Sequence, residues 1–347
     1  MAIDVLDFPS ALTVSESLGG KRHLLLGNGF SIAWRPDIFQ YGSLFERADF
    51  SKLSTDHAAL FSSLSTTDFE KVMQALKAAA TLAEVYSTSD KALSARMLQD
   101  AEHLKDILVN TIAQNHPELP TEVTEAEYSF SRRFLANFSQ GNIYTLNYDL
   151  LLYWVLMHAQ TIKCDDGFRK AEDQDDFVEW NSFNSQNIYY LHGALHLFDH
   201  GYTLEKYTWI NTGVRLMDQI RSALDRDKFP LVVTEGESEQ KLTRITHSGY
   251  LHKGLRSFES ITGSLFIHGH SMSETDDHFF DLIPKTKIKN LFVSLFAPAQ
   301  IDKHQAKIEK LEFLKQKRAD IFSKPADKER YKLNVYYYDA ETARVWR

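Results

Sequence analysis

A single cysteine, Cys164, stands in a chain of 347 residues. One thiol cannot close an intrachain disulfide, and it cannot supply a four-cysteine zinc module. A basic excess is also lacking. The 39 Lys and Arg residues face 47 Asp and Glu, a formal charge of −8, so composition gives no support to nucleic-acid binding, which needs a basic face. Long apolar runs are missing too: stretches such as Leu150–Met157 fall far short of the ~20 residues that a membrane-spanning helix requires. The opening MAIDVLDFPSALTVSESLGG has neither a basic start nor a continuous apolar run, so no secretory leader is expected. These absences lead us to expect a cytoplasmic globular protein, with no membrane partner, no direct nucleic-acid partner and no structural zinc.

What is present is an alternation of short apolar runs with amphipathic stretches. His23–Leu26 reads as a buried strand, Gly27-Asn28-Gly29 as a tight turn, and a helix follows from about Phe30. Residues 52–139 carry no strand signal. Thr67 and Glu70 have capping-box spacing ahead of FEKVMQALKAAATLAEVY, a second helix runs from Asp90 towards Asn115 and stops at Pro117, and a third runs from about Glu122 to Phe138. Asn142–Leu146 and Asn187–Leu191 read as strands, Leu150–His158 as a helix and the acidic stretch Asp165–Glu179 as a loop. Leu231–Thr234, Ser264–His268, Asn290–Phe296 and Leu333–Tyr338 read as further strands. Helices are expected at Gln240–Ile261, Asp276–Ile283 and Gln300–Arg318. Strands alternating with helices predict an α/β, Rossmann-like fold: a mainly parallel sheet with helices on both faces. We expect one domain over residues 1–347, with an inserted helical layer at about 52–139 and a C-terminal helix plus strand at about 299–347.

Four short motifs fall where strands end, and ligands of open α/β sheets sit outside those carboxyl ends. In Gly27-Asn28-Gly29-Phe30-Ser31 the glycines permit close backbone approach and the helix start favours an anion, although an ordinary strand-to-helix turn reads the same way. In Thr145-Leu146-Asn147-Tyr148-Asp149 the polar side chains could serve chemistry, or Asp149 could cap the next helix. His192-Gly193 offers an imidazole that can bond a sugar hydroxyl or take a proton. His268-Gly269-His270-Ser271 offers a close-approach glycine and a hydroxyl. His196, His268 and His270 beside His192 leave open a metal-dependent hydrolase, although 14 histidines make chance clusters unsurprising. The motif residues present no pair of carboxylates.

The order of these motifs resembles the sirtuins. GNGFS is similar to the sirtuin GAGxS loop, TLNYD to TQNID, His192-Gly193 to the catalytic HG, Phe229–Gly236 (FPLVVTEG) to PxIVxFGE, and Ile267–Met272 to the GTSL position. A zinc-free bacterial sirtuin-like branch resembles the chain further in LLLGNGFS, the DFE of Asp68–Glu70, VTEGESEQK and FIHGHS. The resemblance implies NAD+ as substrate, cleaved at its nicotinamide–ribose bond by an enzyme without a metal, and it makes protein deacylation doubtful, since the four cysteines are missing. It implies that Asn147 orients the ribose or the attacking water, that His192 bonds the ribose hydroxyls and acts as general base, and that Asp149 fixes the asparagine loop. Gly27, Asn28, Gly29 and Ser31 would hold the pyrophosphate and Gly269 and Ser271 the adenosine, with Phe30, Thr145, Glu235 and His270 completing the cofactor contacts. It further implies an NAD-depleting effector of antiphage defence, held off by sister subunits or a separate sensor protein. An NAD- or ADP-ribose-binding sensor without turnover stands as the other reading.

Overall fold

In a computed structural model, residues 3–86, 91–158, 162–170, 177–208 and 213–347 are described. Eleven strands are found among them: β1 Val5–Leu6, β2 Arg22–Leu26, β3 Ile143–Thr145, β4 Phe168–Lys170, β5 Phe177–Trp180, β6 Ile188–Tyr190, β7 Leu197–Asp199, β8 Leu204–Tyr207, β9 Thr262–His268, β10 Lys287–Leu295 and β11 Asn334–Asp339. Seven form one sheet in the order β1-β11-β10-β9-β2-β3-β6, and every neighbouring pair is parallel. The central strands are buried nearly end to end, as LLL of β2 and LFIH of β9 require, because helices flank the sheet.

Set aside the short edge strand β1, and the order is that of a doubly wound dinucleotide-binding sheet, 3-2-1-4-5-6. From β2 the chain moves outward through β3 to β6, then returns to the other side of β2 and moves outward again through β9, β10 and β11. The direction reverses between β2 and β9, so the crevice of this fold opens there. Register makes the consequence specific. Leu26 pairs with both His268 and Thr145, and Thr145 pairs with Tyr190. These residues form one transverse row, with strands about 4.8 Å apart, and the four motifs all leave the sheet just beyond it.

Residues 52–139 contain only helices among the described residues, as the missing strand signal predicts. Helices Phe69–Tyr86 and Lys91–Asn115 pack on each other, the first burying Phe69, Val72, Met73, Leu76 and Ala80 at helical spacing. The expected Thr67–Glu70 capping box does not form. Asp68 caps instead, its Oδ1 accepting from the amides of Glu70 (3.0 Å) and Lys71 (3.4 Å), and Glu70 is drawn away into an ion cluster.

Other expectations are corrected. Asp165–Glu179 is not a plain loop: β4 and β5 lie within it and join β8 and β7 in a four-stranded antiparallel sheet, β4-β5-β8-β7. Residues 171–176 of that stretch lie outside the described residues. These strands are too short for a two-residue period to show. Leu231–Thr234 is buried but is no strand. It makes one bridge, Gly193 to Val232, and lies against the His192 loop through Val233 N–H to the His192 carbonyl (2.9 Å). The helix expected at Asp276–Ile283 is one α-turn, Asp277–Phe280, between two 3₁₀ turns, the second containing Pro284. Strand β1 and helix Phe8–Leu18 were not anticipated.

The C-terminal residues lock back onto the first motif. Trp346 is buried, packs on Phe30 and Trp34, and donates its Nε1–H to the Phe30 carbonyl at 2.7 Å. Trp346→Ala removes a large core side chain and orphans that carbonyl, so urea unfolding should show a loss of about 3–5 kcal/mol. A loss below about 1 kcal/mol, the range of ordinary surface changes, would mean that this contact does not brace the loop.

Candidate active site

The loops after β2 and β9 meet backbone to backbone. Gly27 N–H donates to the His268 carbonyl (2.9 Å) and Gly29 N–H to the Gly269 carbonyl (2.7 Å). A Cβ on Gly29 would stand 2.5 Å from Gly269 Cα, and one on Gly269 would stand 2.7 Å from Phe30 N. Gly269 also has φ +69°. The glycines expected to admit a ligand are thus needed first so that the loops can admit each other. The amides of Phe30 and Ser31 turn back to the carbonyls of Gly27 and Asn28. Gly193 of the His-Gly motif is constrained in the same way: φ is +76°, and a Cβ would meet the Leu231 carbonyl at 1.8 Å.

A cavity of about 540 Å³ opens at this switch point. Asn28, Gly29, Asn147, Asp149, His192, Gly269, His270 and Ser271 line it, so the structure gathers eight of the thirteen expected site residues. Gly27, Phe30, Ser31, Thr145 and Glu235 do not line it. Ser31 lies fully buried behind the wall, donating to Asp149 Oδ2 (2.5 Å) and receiving Asn147 Nδ2–H (3.2 Å). Thr145 Oγ1 accepts the Asn147 amide (3.1 Å). Both hold Asn147 in place, and Asn147 Oδ1 has no hydrogen-bond partner among the described residues. Asp149 also accepts the Leu151 amide at 2.9 Å from one residue ahead of the N-cap position, Leu150, and so satisfies the first amide of the following helix. Its carboxyl is pushed up by burial, against the bonds from Ser31 and Leu151. Phe30 packs on Trp346, and Glu235 pairs with Lys105 at 3.4 Å.

The helical insert supplies much of the opposite wall, with Asp68, Glu70, Lys71, Leu108 and Ile112. Behind the cavity lies a buried ion cluster that the motifs did not announce. Lys241 Nζ sits 2.7 Å from Glu70 Oε2 and 2.9 Å from Asp276 Oδ1, all three residues buried. His270 Nε2 bonds Asp276 Oδ2 at 3.1 Å, and its Nδ1 accepts the Met272 amide at 2.7 Å. Burial alone would raise Asp276, but Lys241 and His270 take it well below the usual carboxylate range. Glu70 goes up, burial outweighing Lys241. Lys241 is held cationic: burial works against the charge, and the two carboxylates overcome it. Lys241 and Glu70 lie inside the VTEGESEQK and DFE strings, so a signal existed, but no rule of spacing links residues 171 positions apart. Asp276 and His278 carried no signal at all.

His192 Nε2 lies 3.0 Å from His278 Nε2 and 3.8 Å from Asp276 Oδ1. Burial, and then Lys241, keep His192 neutral far below pH 6.5; burial takes His278 down to about 3. His192, Asp276 and His278 are the group of ligand-type atoms that converge among the described residues. The metal set considered from the sequence does not assemble. His196 is buried between Tyr153 and Tyr190, and His268 bonds the Tyr338 hydroxyl at 3.0 Å. Both oxygens of Asp276 already accept from Lys241 and His270, so the converging group is a hydrogen-bonded cluster beside an ammonium. The expected lack of paired carboxylates is also corrected, because Asp68, Glu70, Asp149 and Asp276 all line the cavity.

Comparison with known proteins gives a family and no function. A family model described as a domain of unknown function (DUF4917) matches residues 24–346, which takes in the switch-point sheet, the insert and Trp346. No curated protein matches the chain. No helix among the described residues is long and apolar enough to cross a membrane.

The cluster makes the insert and the sheet one structure, and this has a measurable consequence. Lys241→Met leaves Glu70 and Asp276 buried without their cation and should cost about 3–5 kcal/mol in urea unfolding. The triple variant Lys241→Met, Glu70→Gln, Asp276→Asn removes the charges together and should regain most of that loss. Equal stabilities for the single variant and the unmodified chain would contradict the role given to Lys241.

Proposed function

The chain belongs to the DUF4917 family, and we propose that it binds NAD+ in the switch-point cavity and cleaves the nicotinamide–ribose bond. The observation that carries this reading is positional. Loops that resemble the sirtuin NAD motifs leave four adjacent parallel strands at one row and line one cavity where the strand order reverses.

The electrostatics support the same chemistry. NAD+ carries its positive charge on nicotinamide, and cleavage passes through an oxocarbenium-like ribose. Four carboxylates line the cavity, with Lys71 as the lysine among them and Lys241 behind. Asn147, its amide nitrogen given to Ser31, presents its free oxygen to the ribose or to water. His192, neutral, bonds the ribose. Asp149 works through Ser31 and holds Asn147 in place. Since Gly27, Gly29, Phe30 and Ser31 spend their amides within the loops, the pyrophosphate falls to the Asn28 amide, the Ser271 hydroxyl and Lys71 rather than to a ready-made amide cradle. The insert walls the cavity, so we place control of the activity, by sister subunits or a separate sensor protein, on that layer.

Incubation of purified protein with NAD+, followed by chromatography, should show nicotinamide with ADP-ribose or a cyclic relative, and no comparable turnover of acetyl-lysine peptide. His192→Ala and Asn147→Ala should each lower turnover by about 10²-fold, measured on variants whose circular dichroism is that of the folded protein. Binding of NAD+ without cleavage, with these variants altering affinity alone, would make the chain a sensor; full activity in either variant would remove that residue from the mechanism.

A further inference from the structure

His192, His278 and Ser238 form a hydrogen-bonded line that runs from the cavity to the start of helix Ser238–His247. The Ser238 hydroxyl oxygen accepts the backbone N–H of His278 at 2.7 Å and lies 3.2 Å from Nδ1 of the same ring. An oxygen that is receiving one N–H still has its own proton to give. Among the described residues, His278 Nδ1 is the acceptor in reach. With the Ser238 hydroxyl as the donor to Nδ1, His278 carries its proton on Nε2. The 3.0 Å contact between the two Nε2 atoms needs one donor and one acceptor, so His192 Nε2 is the acceptor and the single proton of its neutral ring sits on Nδ1.

Asp276, 3.8 Å from His192 Nε2, is too far to hold a proton there, and its oxygens are engaged by Lys241 and His270. His270 donates from Nε2 because its Nδ1 is occupied by the Met272 amide. The Lys241 ammonium, bound to the same Asp276 oxygen, favours a lone pair on the facing side of His192, and the Asp276 carboxylate opposes it. His192 lines the cavity, and its Nδ1 makes no hydrogen bond among the described residues and is not among the sealed, unpartnered buried atoms.

Resting on the reading of His192 as a residue that faces ligand, we infer that Ser238 and His278 are positioning residues that fix His192 as a hydrogen-bond donor, Nδ1–H turned to the cavity. The ligand atom opposite is then an acceptor oxygen, such as a ribose hydroxyl or ring oxygen. His192 binds it rather than taking a proton from it, which replaces the general-base role expected from the sequence. Hydrogen positions follow here from donor and acceptor counting, and they are directly measurable.

The test is the ¹⁵N spectrum of histidine-labelled protein, with the His192 signals assigned by their loss in His192→Gln. The expected result is a protonated Nδ1 and a bare Nε2. His278→Gln keeps an N–H donor near the Nε2 position and should leave this signature, whereas His278→Phe and Ser238→Ala should let His192 average between its tautomers. Ser238→Ala serves alone if His278→Phe does not fold. Affinity for ADP-ribose should fall about tenfold in His278→Phe, the loss of one good hydrogen bond, and return in His278→Gln. A proton on His192 Nε2, or a signature indifferent to both Ser238 and His278, would overturn the inference. Absence of ADP-ribose binding with the Nδ1–H signature intact would instead refute the NAD reading and leave the tautomer assignment standing.

Discussion

Lys241 places one ammonium group between Glu70, from the helical insert, and Asp276, from the segment that follows β9. In the fold this contact closes the far wall of the cavity, since Glu70 and Asp276 both line it. It also orders the groups around His192: Asp276 receives His270 on its other oxygen, and Tyr148 reaches Glu70 at 3.2 Å while donating to the Val233 carbonyl at 2.7 Å. A buried ion pair of this kind is a poor source of net stability, because desolvation offsets the attraction. What it supplies is exclusivity. Among the described residues Lys241 is the lysine or arginine paired with either carboxylate, which ties the insert to the segment after β9 at this point.

The second constraint is the contact between Gly29 and Gly269, which brings the β2 and β9 loops together at the point where strand order reverses. It brings the Gly27–Ser31 and His268–Ser271 loops side by side, but it uses the Gly27 and Gly29 amides. The site consequently differs from a glycine-rich phosphate cradle: polar reach into the cavity comes from the side chains of Asn147, held by Ser31 and Thr145, of His192, bonded to His278, and of Ser271.

Much of this was legible in the sequence for a physical reason. Parallel strands buried on both faces must be apolar throughout, so β2, β3, β6, β9 and β10 show as runs, and residues just past them emerge at a shared edge. His192, Asn147 and Gly269 were found in that way. The strand expected at Leu231–Thr234 failed because burial alone does not distinguish a ladder from a segment pressed on a loop. Strands β4 and β5 were missed because three and four residues are too few for periodicity. Lys241, Asp276 and His278 were missed because their roles come from partners far away in sequence, and His278 sits in a short turn with no strand or helix pattern to mark it.

The row of loops beyond the sheet and the facing wall of the insert are proposed to form one NAD-binding cleft. Hydrogen–deuterium exchange with and without ADP-ribose tests it most directly, because it reads binding at every segment and requires no turnover. The predicted result is protection in four loop segments, residues 26–32, 145–149, 190–193 and 268–276, together with residues 39–44, 68–71 and 108–112 of the opposite wall, and little change in the antiparallel sheet β4-β5-β8-β7. Protection confined to other segments, or none at a concentration of ADP-ribose that saturates NAD-binding proteins, would contradict it.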